Sequence, residues 1–486
     1  MSLLIITFTF LETQSQAREL GHVEIYYRCY AHMVRSRPLD TDPRLLAVKA
    51  GTKSPVDACM ELFDLASMNK GLLASEQIPS VDDSNITIGS QIVKTFHDFH
   101  RTQWLQSDNV AAFSNRATNT EWIIDSTDSA YFLTRALFDP EVEYKTVVTS
   151  SENIAAIRNS PVDVPWRLRT DWSNTFGYSS PVKLDEYFAS YQVDSTPVNI
   201  LFSPEPLEFG RLIGFKIKTP QPFPTPPGGG APLSSDIHAL LGGGAGALST
   251  PAYFILNNGH SFQKTNGGAV VPRRWSKAVL RDFLCRELPV IRMSDAEPYV
   301  QSDSSLSFRK NGSCMQCHHT MDNLAIATRN YAHTESGGYT AEGYNAMQFV
   351  RHYLPEDGPY SGPLDGSDTF HKTNPTGRFV FRSYDGNLIN QELSNVSDIG
   401  TVLAESKDLY ACAAKRYFEF FTHVDASIDD IADPDTAVIL NKKDLDYRNF
   451  VISLGNDLKT NHDLRELIRK IIASDYYRQS DFGAWE

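Results

Sequence analysis

No run of lysines and arginines occurs anywhere in this 486-residue chain, whose formal net charge is −14. A surface that neutralises nucleic-acid phosphates needs clustered cations, so nucleic-acid binding is excluded. Long hydrophobic runs are also missing. The only approach to one, "LLIITFTFL" at 3–11, falls far short of the ~20 residues that cross a bilayer, so no transmembrane segment is expected. The two glycine triplets in "TPQPFPTPPGGGAPLSSDIHALLGGGAGAL" are not followed by G-K-[ST], which removes a phosphate-cradling loop. No repeat of fixed period is visible. Nor does the N-terminal stretch 18–218 show a convincing Ser/His/Asp, paired-carboxylate or metal constellation. Cysteine is scarce, with six residues: Cys29, Cys59, Cys285, Cys314, Cys317 and Cys412. What remains is a globular composition, 41% apolar and 21% charged, with length enough for two or three domains.

The first seventeen residues deserve separate treatment. After the apolar stretch comes "ETQSQA", with Ser15 and Ala17 at the offset of a signal-peptide cleavage site. The basic n-region is absent, since the first cation is Arg18. Residues 1–17 therefore read as a signal-peptide-like segment whose start lies upstream, or else as an N-terminal strand. Export would place the cysteines in an oxidising compartment, where disulfides persist.

Periodicity predicts a mainly α, multi-domain helical protein with one small β-hairpin. Helices are expected over 54–68, 90–105, 126–139, 272–288, from Ser313 onward, and over 340–354, 398–422, 442–455 and 461–474. "GRFVFRSYDGNLINQEL" (377–393) reads as a hairpin about a two-residue Asp385–Gly386 turn. The expected organisation is an N-terminal helical domain (18–218), a Pro/Gly-rich linker or loop (219–249), a domain around the C-x-x-C-H motif of Cys314, Cys317 and His318 (250–360), and a hairpin plus C-terminal helical domain (361–486). His97 and His100 sit i, i+3 on one helix; with no acidic or sulfur partner at a matching offset, they read as a polar helix face rather than a metal site.

The most informative stretch is "NGSCMQCHHTMD" (311–322), which contains Cys314-x-x-Cys317-His318. With 6 Cys and 13 His in 486 residues, about 0.002 such pentapeptides arise by chance. A zinc site needs four ligands, and no second pair follows at finger spacing. A thioredoxin-like dithiol sits after a strand in a βαβ setting, whereas a polar loop leads into this helix. The pattern is that of covalent haem c attachment: two thiols form thioethers with the vinyl groups, and the adjacent His318 ligates iron. Met321, one turn on, lies on the proximal side and cannot reach round. Met347 and His352, on the next expected helix, are the distal-ligand candidates, with Met293 and His371 behind them; an open sixth position is the alternative. Arg309, Arg329 and Arg351 flank the motif as possible partners of the propionates. With Cys314 and Cys317 taken by haem, the other four cysteines pair as Cys29–Cys59 and Cys285–Cys412, or stay as buried thiols.

Several segments together resemble one family, the planctomycete-type cytochrome c domain proteins. "STPAYFILNNG" (249–259), "VPRRWSKAVLRDFLCRELPVI" (271–291) and "SCMQCHHTMDNLAIATRN" (313–330) resemble its haem domain. "LAESKDLYACAAKRYFEFFTHVD" (403–425) and "LRELIRKIIASDYYR" (464–478) resemble its C-terminal helical domain, and "DSAYFLTRALFDPEVEYKTVVTS" (128–150) its preceding one. Asn323-Leu324-Ala325 replaces the common Pro-Leu-Gly, and Thr422-His423 a common Gly-Arg pair. The resemblance implies an exported bacterial protein with Cys314, Cys317 and His318 as haem ligands, and implies no substrate. The sequence thus leads to a periplasmic or cell-surface monohaem c-type cytochrome that passes single electrons to a redox partner protein. A haem-dependent oxidoreductase with its substrate site in the N-terminal helical region is one alternative; a structural or adhesive surface protein stapled by haem is the other.

Overall fold

Ser54 followed by Pro55 starts a helix because the hydroxyl takes a free N–H of the first turn, while proline has no N–H to leave unpaired. In the computed structural model the Ser54 hydroxyl accepts from the Asp57 N–H at 3.1 Å and the helix runs Pro55–Leu65. The structure describes residues 18–66, 88–105, 128–151, 153–155, 216–218, 244–250, 253, 257, 273–327, 332–339, 345–351, 377–434 and 440–480. The signal-peptide-like segment 1–17 and most of the Pro/Gly-rich segment lie outside these residues.

In chain order the described helices before the C-x-x-C-H motif are α1 (His22–Val34), α2 (Pro43–Lys49), α3 (Pro55–Leu65), α4 (Ile88–Phe99), α5 (Asp128–Phe138), α6 (Thr146–Thr149), α7 (Arg273–Leu284) and α8 (Met293–Ala296). A π-turn, His100–Trp104, continues α4. The motif lies on α9 (Gly312–Ile326), and the chain closes with α10 (Val396–Glu405), α11 (Lys407–Thr422), α12 (Lys442–Asn461), α13 (Leu464–Ala473) and α14 (Asp475–Arg478). The architecture is mainly helical, as expected. Three antiparallel pairs accompany the helices: β1 (Asn153–Ala155) with β2 (Lys216–Lys218), β3 (Ala332–Tyr339) with β4 (Asn345–Arg351), and β5 (Gly377–Arg382) with β6 (Leu388–Leu393).

Four boundaries differ from expectation. Of the helix expected over 340–354, the described residues Asn345–Arg351 form strand β4 instead; Phe349 and Val350 suit a strand, and the neighbouring β3 supplies its backbone partners. The helix expected over 398–422 is two, because Ser406 turns extended (ψ 139°) and its hydroxyl caps α11 by accepting from the Asp408 N–H at 3.0 Å. α7 ends at Leu284, where Cys285 adopts a left-handed φ of 52°, rather than running on to Pro289. The β5–β6 hairpin is present, but its connection spans Ser383–Asn387 and not two residues, with Gly386 at φ 80°.

A large hydrophobic core joins helices from both ends of the chain, from Tyr30 of α1 through Phe63, Phe96, Trp104 and Trp275 to Ile468 of α13, and a smaller cluster gathers Ile291, Ala296, Met315 and Val380. Polar contacts cross it at long range. The Trp104 indole N–H donates to the Asp282 carbonyl (2.9 Å), and Arg465 donates to the Leu137 carbonyl (3.1 Å). Two disulfides join the expected partners: Cys29–Cys59 links α1 to α3 (Cα–Cα 6.1 Å), and Cys285–Cys412 links the end of α7 to α11 (Cα–Cα 5.2 Å). The end of the Pro/Gly-rich segment belongs to the core as well, because Ala245, Ala247 and Leu248 are buried. There Gly246 has φ 52°, and a Cβ on it would fall 2.1 Å from the Val147 carbonyl oxygen.

β5 packs across α9 at similar closeness. A Cβ on Gly377 would meet the Asn323 carbonyl oxygen at 2.1 Å. Gly377→Ala should therefore lower stability by about 1–3 kcal/mol through overpacking, read as a shift of the urea midpoint. A second outcome concerns Asp408, whose carboxylate accepts from the Tyr384 N–H at 2.9 Å. Burial raises its pKa from 3.8 to about 6, against the pull of Arg286 and the Tyr384 N–H. A carboxyl with a raised folded-state pKa contributes stability below its unfolded value and loses it as pH rises through the folded one. Stability should thus fall between about pH 4 and 6, by up to ~3 kcal/mol from this group. Asp408→Asn should flatten that slope in a pH series of urea unfolding.

Candidate functional site

Asn311 starts the helix that carries the motif: its side-chain oxygen accepts from the Ser313 N–H at 3.0 Å. At 100° per residue, Cys314, Cys317, His318 and Met321 then fall on one side of α9, and Met315, Gln316, His319, Thr320 and Leu324 on the others. The latter five are all buried. Met315 packs with Ile291, Ala296 and Val380. The Gln316 amide donates to the Ile291 carbonyl (3.4 Å), and the Thr320 hydroxyl to the Val380 carbonyl (2.8 Å). His319 stacks on Tyr299 with ring centroids 3.7 Å apart, so it faces away from its neighbour His318. The thiol-bearing face is only partly buried.

Cys314 and Cys317 are both free thiols, whereas the other four cysteines are paired. Burial, with a smaller contribution from Cys314, pushes the Cys317 thiol above its ordinary value of 9. Dithiol oxidoreductases do the reverse, lowering one thiol of the C-x-x-C to gain a thiolate nucleophile. The helix is preceded by the turn Ser307–Lys310, not by a strand. Among the described residues no group of three or more His, Cys, Asp or Glu could hold a metal ion, so a zinc site gains no support there.

His318 keeps 22% of its side-chain surface and sits inside a closed set of contacts. Its ring stacks on Phe308 (centroids 4.1 Å apart, planes at 28°). The Arg273 guanidinium lies over the same Phe308 ring at 5.5 Å. Arg273 also donates twice to Asp322, at 2.5 and 3.1 Å. Asp322 Oδ2 returns to within 3.4 Å of His318 Nδ1, a buried nitrogen with no hydrogen bond of its own. Burial works against the Asp322 charge, but His318 and Arg273 together hold its carboxyl below the usual range. The donor set fits a haem c: two unpaired thiols one turn apart, an imidazole on the next residue, and an orphaned Nδ1 beside a carboxylate.

The other residues singled out in the sequence fare differently. Met347 is on strand β4, opposite Ser336, and not on a helix. His352, His371 and Arg329 lie outside the described residues. Met293 packs at the start of α9, its sulfur 2.9 Å from where a Gly312 Cβ would stand, on the side turned away from Cys314. Arg351 ends β4, and Arg309 lies over Phe308 at 5.8 Å. His97 and His100 are wholly buried, not on a polar face, because α4 is enclosed in the core. The Thr134 hydroxyl donates to the Ala130 carbonyl, so its oxygen accepts from the Nδ1 of both histidines (2.9 and 3.0 Å). His100 Nε2 in turn accepts from the Tyr417 hydroxyl at 2.8 Å. Nitrogens committed to Thr134 and Tyr417 do not converge on an ion.

Sequence reasoning missed Asp322, Arg273 and Phe308. The i, i+4 spacing of His318 and Asp322 was a usable signal; the contact to Arg273, 49 positions away, was not. Comparison of the chain with family models, with curated proteins and with solved structures yields no match. Among the described residues no helix is long and apolar enough to cross a membrane.

In the haem-free chain, alkylation of Cys317 should keep accelerating with pH up to and beyond pH 9, following its raised thiol. A rate that levels off near neutrality in the Cys314→Ser variant would contradict this.

Proposed function

We propose that the chain is a monohaem c-type cytochrome that exchanges single electrons with a partner protein outside the cytoplasm. The observation that carries this reading is the sorting of the six cysteines. Four pair within the core, and the two that stay free share one half-exposed helix face with His318. Cys314 and Cys317 would hold the haem through thioethers, and His318 would ligate its iron. The bound haem supplies a one-electron couple whose potential depends on its axial ligands. The protein's part is to hold the ligand-bearing face still: α8 and β5 bury the back of α9, and Arg273 of α7 holds Asp322 beside His318, so the thiols and the imidazole keep one orientation. The two disulfides and the signal-like residues 1–17 favour an oxidising, extracytoplasmic setting. The resemblance of 313–330 to planctomycete-type cytochrome c domain proteins points the same way.

The test is expression with export in a bacterial host that matures c-type cytochromes. The purified chain should be coloured, and its mass should include one covalently attached haem. Cys314→Ala with Cys317→Ala should abolish the attachment while leaving both disulfides in place. Colourless, correctly exported protein would remove the proposal. Bands of the reduced protein that do not move under carbon monoxide fit an electron carrier; a shift would favour the haem oxidoreductase reading.

A further inference from the structure

We propose that Asp322, anchored by Arg273, is the positioning residue for His318: it fixes the imidazole as the Nδ1–H tautomer and strengthens the Nε2 lone pair offered to iron. The inference rests on the haem reading above and adds to it the device that sets the ligand. Four contacts close a ring, from His318 to Phe308, Phe308 to Arg273, Arg273 to Asp322, and Asp322 back to His318. Stacking on Phe308 restrains the tilt of the imidazole but supplies no hydrogen bond, so it cannot choose a tautomer. The carboxylate can. Nδ1 is buried and lacks any other hydrogen bond, and Asp322 Oδ2 is 3.4 Å away. That distance is longer than a formed N–H···O bond. At 3.4 Å the carboxylate charge still favours a proton on Nδ1 over one on Nε2, with or without haem.

Asp322 is itself held. Arg273 grips both of its oxygens, and its side chain is only 18% exposed, so it cannot swing into solvent without leaving the guanidinium unpaired. A carboxylate behind a ligating histidine orients the ring and raises its basicity. A more basic ligand favours the oxidised iron, which carries the greater charge. Arg273 has the opposite electrical effect, because its charge tempers the carboxylate as an acceptor. The two residues should therefore tune the couple in opposite directions although they form one clamp. A purely structural role predicts otherwise, since loosening the clamp from either end would disturb the site alike.

Two measurements test this. In the haem-free chain, the nitrogen-15 shifts of the neutral His318 ring report the tautomer directly. Wild type should hold Nδ1–H, and Asp322→Asn should lower the Nδ1–H to Nε2–H ratio about tenfold. In the haem-loaded chain, spectroelectrochemical titration should find the potential higher in Asp322→Asn and lower in Arg273→Gln. The expected size is about tenfold in the reduction equilibrium, ~59 mV for one electron. Arg273→Lys, which keeps the charge, should stay near wild type and checks that the site folds. Equal tautomer ratios in wild type and Asp322→Asn, or potentials that move in the same direction for Asp322→Asn and Arg273→Gln, would overturn the inference. A wild-type chain that takes up no haem would overturn the cytochrome reading instead, and the tautomer measurement would still decide the clamp.

Discussion

Thr320 and Gly377 set the orientation of the helix that carries the C-x-x-C-H. The Thr320 hydroxyl bonds to the Val380 carbonyl, and the missing side chain at Gly377 lets strand β5 lie directly on the Asn323 carbonyl. A helix has no intrinsic reason to present one side rather than another. Here the hairpin packs on α9 through Val380 against Thr320 and Met315 and through Gly377 against Asn323, and the thiols and His318 are left on the partly exposed side. Rotating α9 by a single residue, 100°, would bury the motif. The chemistry of this chain thus depends on a packing contact made by residues that carry no chemistry themselves.

Helix α7 ties that local arrangement to the rest of the molecule. Its first residue, Arg273, belongs to the clamp around His318. Near its far end, about 15 Å along the axis, Asp282 takes the Trp104 indole on its carbonyl and the Tyr253 hydroxyl on its carboxylate. Just beyond that end, Cys285 is bonded to Cys412 of α11. Burial raises the Asp282 pKa to about 6, against the opposing pull of Arg281. One rigid element therefore connects the N-terminal helices, the C-terminal helices and the motif, although these stretches are far apart in sequence.

Much of this was legible before any coordinates. Capping chemistry located α3 through Ser54 and Pro55, and the pattern around Asp385–Gly386 located the hairpin. Removing the two motif thiols left four cysteines open to three pairings or to none, and the one expected, Cys29–Cys59 with Cys285–Cys412, is the one present. What failed did so for physical reasons. Residues 345–351 have apolar positions that suit a helix, but a strand partner a few residues upstream decided otherwise. His97 and His100 look like a solvated face when only their own helix is considered; the enclosing partners, Thr134 and Tyr417, lie 34 and 317 positions from His100. The clamp on His318 was half visible, since Asp322 stands one turn away in sequence while Arg273 does not. Spacing rules describe neighbours along a helix, and they carry no information about what another helix brings to it.

The unequal burial of the six sulfurs has a consequence for how such a chain matures. If the chain carries the haem proposed above, thioether formation consumes thiols, and Cys314 and Cys317 would have to stay reduced where the other four oxidise. Cys29, Cys59 and Cys412 have no solvent-accessible surface, while Cys314 and Cys317 stay within reach of solvent. Once the core has closed, a reductant reaches the motif thiols and the partly buried Cys285, while the Cys29–Cys59 bridge opens to it only through unfolding. Access alone therefore shields one bridge, Cys29–Cys59, completely, and the other through Cys412 only.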